Sequence, residues 1–150
     1  MILDSGERKE FDTGAVRDMQ EGKGRPSLLP LQVVAQLLDE RLGGDVVLQE
    51  IAYFAEHGKT ISLYHSLARF GAAAFGDLET MLLETSIHFE EGAKKYGENN
   101  WQKGIPVNCY LDSAIRHYLK WRRGDKDENH DRAFCFNVMC CIWEVDYHEH

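Results

Sequence analysis

The chain has 150 residues, 43% of them apolar, which suits one compact domain with a substantial core. Its net charge of −8 argues against the clustered lysines and arginines that general affinity for nucleic acid requires. No apolar run approaches the roughly 20 residues that cross a bilayer, and the first residues lack the apolar core of a secretory signal, so we expect a cytoplasmic protein with neither a membrane nor a nucleic-acid partner.

The first predicted element is an irregular arm at residues 1–29. It contains four glycines and Pro26, with frequent charges and no apolar periodicity. Arg17, Lys23 and Arg25 stand among these glycines, and basic side chains on a glycine-rich loop are suited to contacts with phosphate groups. The alternative is a solvated arm that binds nothing, and the composition leaves both interpretations open.

Helices follow the arm, because apolar residues recur at helical spacing between glycine or proline breaks. The predicted helices are Pro30–Leu42, stopped by Gly43 and Gly44; Asp45–Glu56, with Asp45 as N-cap and Gly58 after its end; Ser62–Ala74; Asp77–Tyr96; Asn108–Arg122; and Asp131–Tyr147. No stretch alternates long enough to indicate a strand. The expected fold class is therefore all-α, a bundle of about five to six helices with an irregular N-terminal arm.

The fourth predicted helix carries the strongest candidates for chemistry. Leu83, Ile87, Glu90 and Lys94 share one helical stripe, so Glu90 is expected to face the interior or a cleft. A buried carboxylate needs a cation or a full set of hydrogen-bond donors, and Glu90 with Glu91 would offer two carboxylates to a hard divalent ion. The alternative is a solvated face in which each glutamate pairs with the lysine four residues later.

The last two helices add polar residues on otherwise apolar faces. Asp112 and Arg116 lie one turn apart, which makes Asp112 a second candidate metal ligand. Its alternative role is that of an acid favoured near a helix N-terminus. His117 fits a packed histidine better than a ligand. Asn137 lies on an apolar stripe, where it must be hydrogen-bonded, either between two helices or to a ligand.

The cysteines are Cys109, Cys135, Cys140 and Cys141, and none forms a CxxC pair. This spacing argues against a zinc site or a disulfide framework. We expect reduced cysteines that pack as small core residues.

Several segments in one order resemble a known family. They are TGAVRD, EGKGRPSLLP, FEEGAKKYGENNWQKG and LDSAIRH, followed by an acidic turn and a helix that carries an asparagine. This order resembles the phage-type dATP/dGTP diphosphohydrolases, which are MazG-like, all-α nucleoside triphosphate pyrophosphohydrolases. The resemblance covers the arm and roughly residues 84–140.

The resemblance implies a single MazG-like domain over residues 1–150 that hydrolyses a purine deoxynucleoside triphosphate, dGTP or dATP, to the monophosphate and pyrophosphate. It implies Mg²⁺ or Mn²⁺ as cofactor, assembly as a homodimer or homotetramer, and the host cytoplasm if the chain is phage-encoded. The site residues we expect are Glu90, Glu91 and Lys94 for catalysis; Glu90, Glu91 and Asp112 for the metal; and Arg17, Lys23, Arg25, Arg116 and Asn137 for the substrate.

The sequence departs from the ExxE and ExxD motifs typical of MazG proteins. The residue three positions before Glu90 is Ile87, and the residue three positions before Glu91 is His88, so neither position carries the first glutamate of ExxE. Glu128 and Asp131 do spell ExxD, but in a polar turn where capping and solubility are the ordinary roles of acids.

Two alternative functions remain open at this stage. One is an HD-type phosphohydrolase, since His130-Asp131 spells the motif, with His88 or His117 upstream and Asp146 downstream. The other is a non-catalytic helical interaction protein whose acids only cover its surface.

Overall fold

The computed structural model describes residues 8–18, 22–38 and 45–148. Within these ranges the chain forms two short strands, β1 (Arg8–Glu10) and β2 (Val16–Asp18), and six helices, α1 (Leu31–Leu38), α2 (Val46–His57), α3 (Thr60–Phe75), α4 (Leu78–Tyr96), α5 (Val107–Arg123) and α6 (His130–Asp146). Single 3₁₀ turns occur at Pro26–Leu28 and Asn100–Lys103. The all-α prediction is confirmed, and none of the described helices is long and apolar enough to cross a membrane.

The helix ends follow the capping signals of the sequence. The Asp45 carboxylate accepts a hydrogen bond from the Leu48 backbone N–H at 3.0 Å, and Gly58 ends α2 with a φ of +70°. Both features are as predicted, because a short acid satisfies a free N–H and glycine alone adopts this φ at little cost. The predicted stop of the first helix at Gly43 and Gly44 lies outside the described residues.

The orientation of α4 differs from the prediction. Its buried positions follow helical spacing and are Met81, Thr85 and His88. Leu83 and Ile87 are 72% and 38% exposed, and Glu90 is exposed as well. The prediction that this stripe faces the interior is therefore wrong for the single chain, because the face that packs against α6 carries threonine and histidine while the more apolar stripe faces outward.

The exposed stripe of α4 bears on the predicted assembly. Leu78 and Leu82 are also largely exposed, so this helix presents a row of apolar side chains to its surroundings. The structure contains one chain, and assembly as a dimer or tetramer stays a prediction.

The core lies between α5, α6 and α3. Tyr110 and Ile115 of α5 and Phe134 of α6 are fully buried, and Phe70 of α3 packs its ring 4.4 Å from that of Phe134. All four cysteines are unpaired, three of them buried, as predicted. Burial raises the pKa of Cys135 to about 12. The thiol therefore stays protonated and packs in the core without acting as a nucleophile.

The irregular arm is as predicted, and its described residues include one short hairpin. β1 and β2 pair in antiparallel fashion, with Lys9 opposite Arg17. The buried Asn100 side chain accepts from the Val16 N–H and donates to the Val16 carbonyl, each at 3.0 Å. It thus makes the two backbone hydrogen bonds that a neighbouring strand would make with Val16. These bonds fix β2 beside the helices and place Arg17 over α5.

Candidate active site

A cavity of about 380 Å³ lies where the arm meets α4, α5 and α6. Its cationic lining residues are Arg17, Lys23, Arg116 and Lys120. Its aromatic lining residues are Phe89, Tyr96, Trp101 and Phe136. His88, His117 and Asn137 also line the cavity, as do two carboxylates, Asp18 and Glu128. The cavity thus combines four cations and two carboxylates with apolar rings, in a chain whose net charge is −8.

Arg17 is positioned by neutral groups. Its guanidinium donates to Ser113 Oγ at 2.9 Å and to Asn137 Oδ1 at 3.1 Å, and it lies 5.3 Å from the centre of the Tyr110 ring. Asn137 in turn donates to the Ala133 carbonyl at 2.8 Å, which turns its oxygen towards Arg17. Among the residues that the structure describes, no carboxylate lies within ion-pair distance of Arg17. Its orientation is therefore fixed while its charge is not neutralised.

The other cations lie around Arg17. Arg116 donates to the same Ser113 hydroxyl at 3.2 Å and to the Gly24 carbonyl at 2.7 Å. Burial lowers the pKa of Lys23, and the positive charges of Arg116 and Arg17 lower it further against the opposing effect of Asp18. Such a convergence of cations favours an anionic ligand, which would relieve their mutual repulsion.

The aromatic side of the cavity is built by α4 and α6. The Phe89 ring lies 4.6 Å from that of Phe136 and 5.8 Å, edge to face, from that of Trp101. His88 packs 4.7 Å from Phe136, and burial lowers its pKa to about 4, an effect to which nearby cations add. His88 is therefore neutral at neutral pH and extends the uncharged wall of the cavity.

A histidine cluster borders the cavity at the junction of α5 and α6. His117 Nδ1 and His130 Nδ1 are 2.9 Å apart, and His130 Nε2 lies 2.7 Å from an Asp127 carboxylate oxygen. Donor atoms of His117, Glu128 and His130 all lie within 4.8 Å of one another. Burial lowers the pKa of His117 well below its usual value, so the ring is neutral and has a lone pair for a ligand.

A second group of possible donors, Asp125, Asp127 and His130, lies on the outer side of the same turn. Asp125 already accepts a hydrogen bond from Arg123 Nε at 2.8 Å and pairs with the same guanidinium through its other oxygen. Because neither aspartate lines the cavity, this group is the weaker candidate.

The family assignment comes from the helices that build this site. A family model described as "dATP/dGTP diphosphohydrolase, N-terminal" matches residues 72–149, just over half of the chain. The chain belongs to the dATP/dGTP diphosphohydrolase family. No curated protein and no solved structure gave a match.

Membership of the diphosphohydrolase family confirms the resemblance and gives the site an enzymatic context. The matched region contains α4, α5 and α6, which provide the aromatic wall and the histidine cluster. Arg17 and Lys23 come from the arm, which lies outside the match. The name of the family is that of a hydrolase of dATP and dGTP, whose triphosphates are anions with a planar base.

Four of the five predicted substrate-binding residues, Arg17, Lys23, Arg116 and Asn137, line this cavity. The fifth, Arg25, lies elsewhere, since its Nε pairs with an Asp112 carboxylate oxygen at 3.0 Å. The structure therefore brings together most of a set chosen from distant parts of the sequence, and their role in binding stays a prediction.

Asp112, a predicted metal ligand, is bound by the arm in the single chain. Its buried carboxylate accepts from the Ser27 backbone N–H at 2.9 Å, from the Ser27 hydroxyl and from Arg25. The arm thus takes up most of the accepting capacity of this carboxylate, and a metal-binding role for Asp112 stays a prediction. Asp112 anchors the arm to α5, and it belongs to neither of the donor groups among the described residues.

The remaining predicted residues, Glu90, Glu91 and Lys94, do not line the cavity. They are also absent from both donor groups found among the described residues. The burial argument for Glu90 is lost with the exposure of its stripe. Their catalytic and metal-binding roles have no geometric support in the single chain.

Sequence reasoning missed the association of His117 with His130. Thirteen residues and a turn separate them, so no helical periodicity links the two rings. The HD pattern joins His130 to Asp131 and Asp146, but the Asp131 carboxylate accepts from the Arg132 N–H and that of Asp146 accepts from Thr60. The acid that contacts His130 is Asp127.

Proposed function

We propose that this chain hydrolyses dATP or dGTP to the monophosphate and pyrophosphate, with the nucleotide bound in the cavity between the arm and α4 to α6. The observation that carries the proposal is that the lining of one cavity has a cationic part, made of Arg17, Lys23, Arg116 and Lys120, and an aromatic part, made of Phe89, Tyr96, Trp101 and Phe136. A nucleoside triphosphate would use both, because it has up to four negative charges on its phosphates and an apolar planar base.

The cationic part suits a triphosphate. Arg17 is held by Ser113 and Asn137 with no carboxylate partner among the described residues, and a guanidinium presents paired donors that match phosphate oxygens. Lys23 and Lys120 also line the cavity. These cations would offset charge that develops on the leaving pyrophosphate when water breaks the α–β phosphoanhydride bond.

The aromatic part suits a purine. Phe89 and Phe136 lie together at the wall, and a stacked base gains about 1–3 kcal/mol on such a surface. Stacking does not distinguish adenine from guanine, which is consistent with a family named for both dATP and dGTP.

The hydrolysis is proposed to require a divalent cation. Glu128, His117 and His130 fit such an ion, since a carboxylate and two imidazoles offer donor atoms within 4.8 Å beside the cationic part of the cavity. When bound, the ion would neutralise phosphate charge and lower the pKa of the attacking water. The side chains of this chain bind the phosphates, orient the base and restrict access of bulk water.

The test is a screen of the four dNTPs with Mg²⁺ or Mn²⁺, with the products resolved by chromatography. We expect dGTP and dATP each to give the monophosphate and pyrophosphate in equal amounts. Chelation of the metal should stop the reaction. Release of inorganic triphosphate or phosphate would favour the HD-type alternative. Absence of turnover with every dNTP and metal would favour a non-catalytic interaction protein.

A further inference from the structure

We propose that His117, His130 and Glu128 form a cation site that prefers a first-row transition-metal dication over Mg²⁺, with Asp127 as a positioning residue for His130. The proposal rests on the proposed function in assigning the ion to the nucleotide cavity. It goes further in naming the class of ion and the residue that orients a ligand.

The spacing of the two rings fits adjacent positions around one ion. Two donors about 2.1 Å from a metal and at right angles to each other are about 3.0 Å apart. The two Nδ1 atoms are 2.9 Å apart, and the rings are tilted by 38° with centroids 5.1 Å apart. In the absence of metal, the same separation fits a hydrogen bond in which His117 Nδ1–H donates to His130 Nδ1, and a bound ion would displace that proton.

The types of donor determine which ions are preferred. Mg²⁺ requires near-octahedral oxygen ligands and retains several waters, whereas imidazole suits later first-row metals. Two of the three donors here are imidazoles, and only Glu128 contributes oxygen. A set of two histidines and one carboxylate leaves open positions, which phosphate oxygens and water would fill.

Asp127 determines which nitrogen of His130 is available. Its carboxylate oxygen lies 2.7 Å from His130 Nε2, so the proton sits on Nε2 and the lone pair on Nδ1. That Nδ1 atom is the one directed at His117. His130 is almost fully buried whereas the Asp127 side chain is half exposed, so the aspartate holds the ring from outside the cavity.

The test measures Mn²⁺ binding to the nucleotide-free protein by electron paramagnetic resonance, with Mg²⁺ as competitor. We expect bound Mn²⁺ to show hyperfine coupling to imidazole ¹⁴N in pulsed experiments, and Mg²⁺ to displace it only in large excess. His117→Ala is expected to abolish this binding. Asp127→Asn is expected to weaken it by about 10- to 100-fold, the usual range for a residue that orients a ligand.

Two matched variants serve as controls. Asp125→Asn changes an acid two residues from Asp127 and is expected to leave Mn²⁺ affinity unchanged, as is Glu90→Gln on the outer face of α4. Bound Mn²⁺ without ¹⁴N coupling, equal competition by Mg²⁺, or loss of binding in Glu90→Gln would overturn the proposal. The wild-type ¹⁴N signal needs no variant, so a misfolded substitution leaves the test intact.

Failure of this proposal is distinguishable from failure of the proposed function. Nitrogen-coupled Mn²⁺ in a protein that turns over no dNTP would refute the hydrolysis and retain the cation site. Turnover of dGTP or dATP with no nitrogen-coupled ion would retain the hydrolysis and refute the site.

Discussion

Replacement of Arg17 by leucine is expected to lower kcat/KM for dGTP and dATP by at least about 100-fold, the range seen when a donor aimed at developing charge is removed. Arg17 is held towards the cavity by Ser113 and Asn137, and it has no carboxylate partner among the described residues. Steady-state kinetics with both nucleotides, at saturating metal, measure the effect.

Arg17→Lys separates charge from geometry. Lysine keeps the positive charge but loses the paired donors of the guanidinium, so we expect activity between that of the wild type and that of the leucine variant. Arg69→Leu is the matched control, because Arg69 is exposed on α3, away from the cavity. Wild-type kcat/KM in a folded Arg17→Leu protein would show that the cavity does not bind the phosphates through this residue.

Replacement of Asp112 by asparagine is expected to lower kcat/KM by about 10- to 100-fold without changing any residue of the cavity wall, since small displacements of positioning groups have effects of this size. The Asp112 carboxylate holds Arg25 and Ser27, and this contact secures the arm that carries Lys23 to α5. Measurement of KM and kcat separately is informative, because a loosened arm should mainly raise KM.

The same contact predicts a dependence of stability on pH. Burial alone would raise the pKa of Asp112, but hydrogen bonds from Ser27 and Arg25 outweigh it and lower the pKa below its ordinary value of 3.8. The ionised carboxylate therefore stabilises the fold fully above that ordinary value, and this contribution is lost as the pH falls through the lowered value.

Thermal unfolding between pH 2 and pH 6 measures this effect. We expect the Tm of Asp112→Asn to be lower than that of the wild type near pH 6 and to converge with it at the acid end. Asp12→Asn, an exposed acid in the hairpin turn, is the control and should follow the wild-type curve. Parallel curves for wild type and Asp112→Asn would contradict an anchoring role for the ionised carboxylate.

The sequence was sufficient wherever the determining interaction is local. The cap at Asp45 and the stop at Gly58 depend on neighbours within one turn, and both were predicted. Arg17 and Lys23 were candidates for phosphate contacts because they stand on a glycine-rich segment, although the composition also left a solvated arm open, and both line the cavity. The all-α fold followed from helical periodicity in the same way.

Sequence reasoning failed where a side chain contacts a residue distant in sequence, or where the polarity of a helix face does not match its burial. Asp112 meets Ser27, which lies 85 residues earlier, so no local pattern pointed to this contact. Glu90 was assigned to the interior because Leu83 and Ile87 precede it on the stripe, yet α4 buries Thr85 and His88 instead. Apolar periodicity identifies the apolar face of a helix, but it does not say whether other parts of the same chain cover that face.

The most direct measurement is the structure of the protein with Mn²⁺ and a dGTP analogue whose α–β bridge resists hydrolysis. We expect phosphate oxygens at hydrogen-bond distance, about 2.7–3.2 Å, from Arg17 and Lys23, with the purine against Phe89 and Phe136. An analogue bound on the outer face of α4 beside Glu90, with the cavity between the arm and the helices left free, would contradict the proposed site.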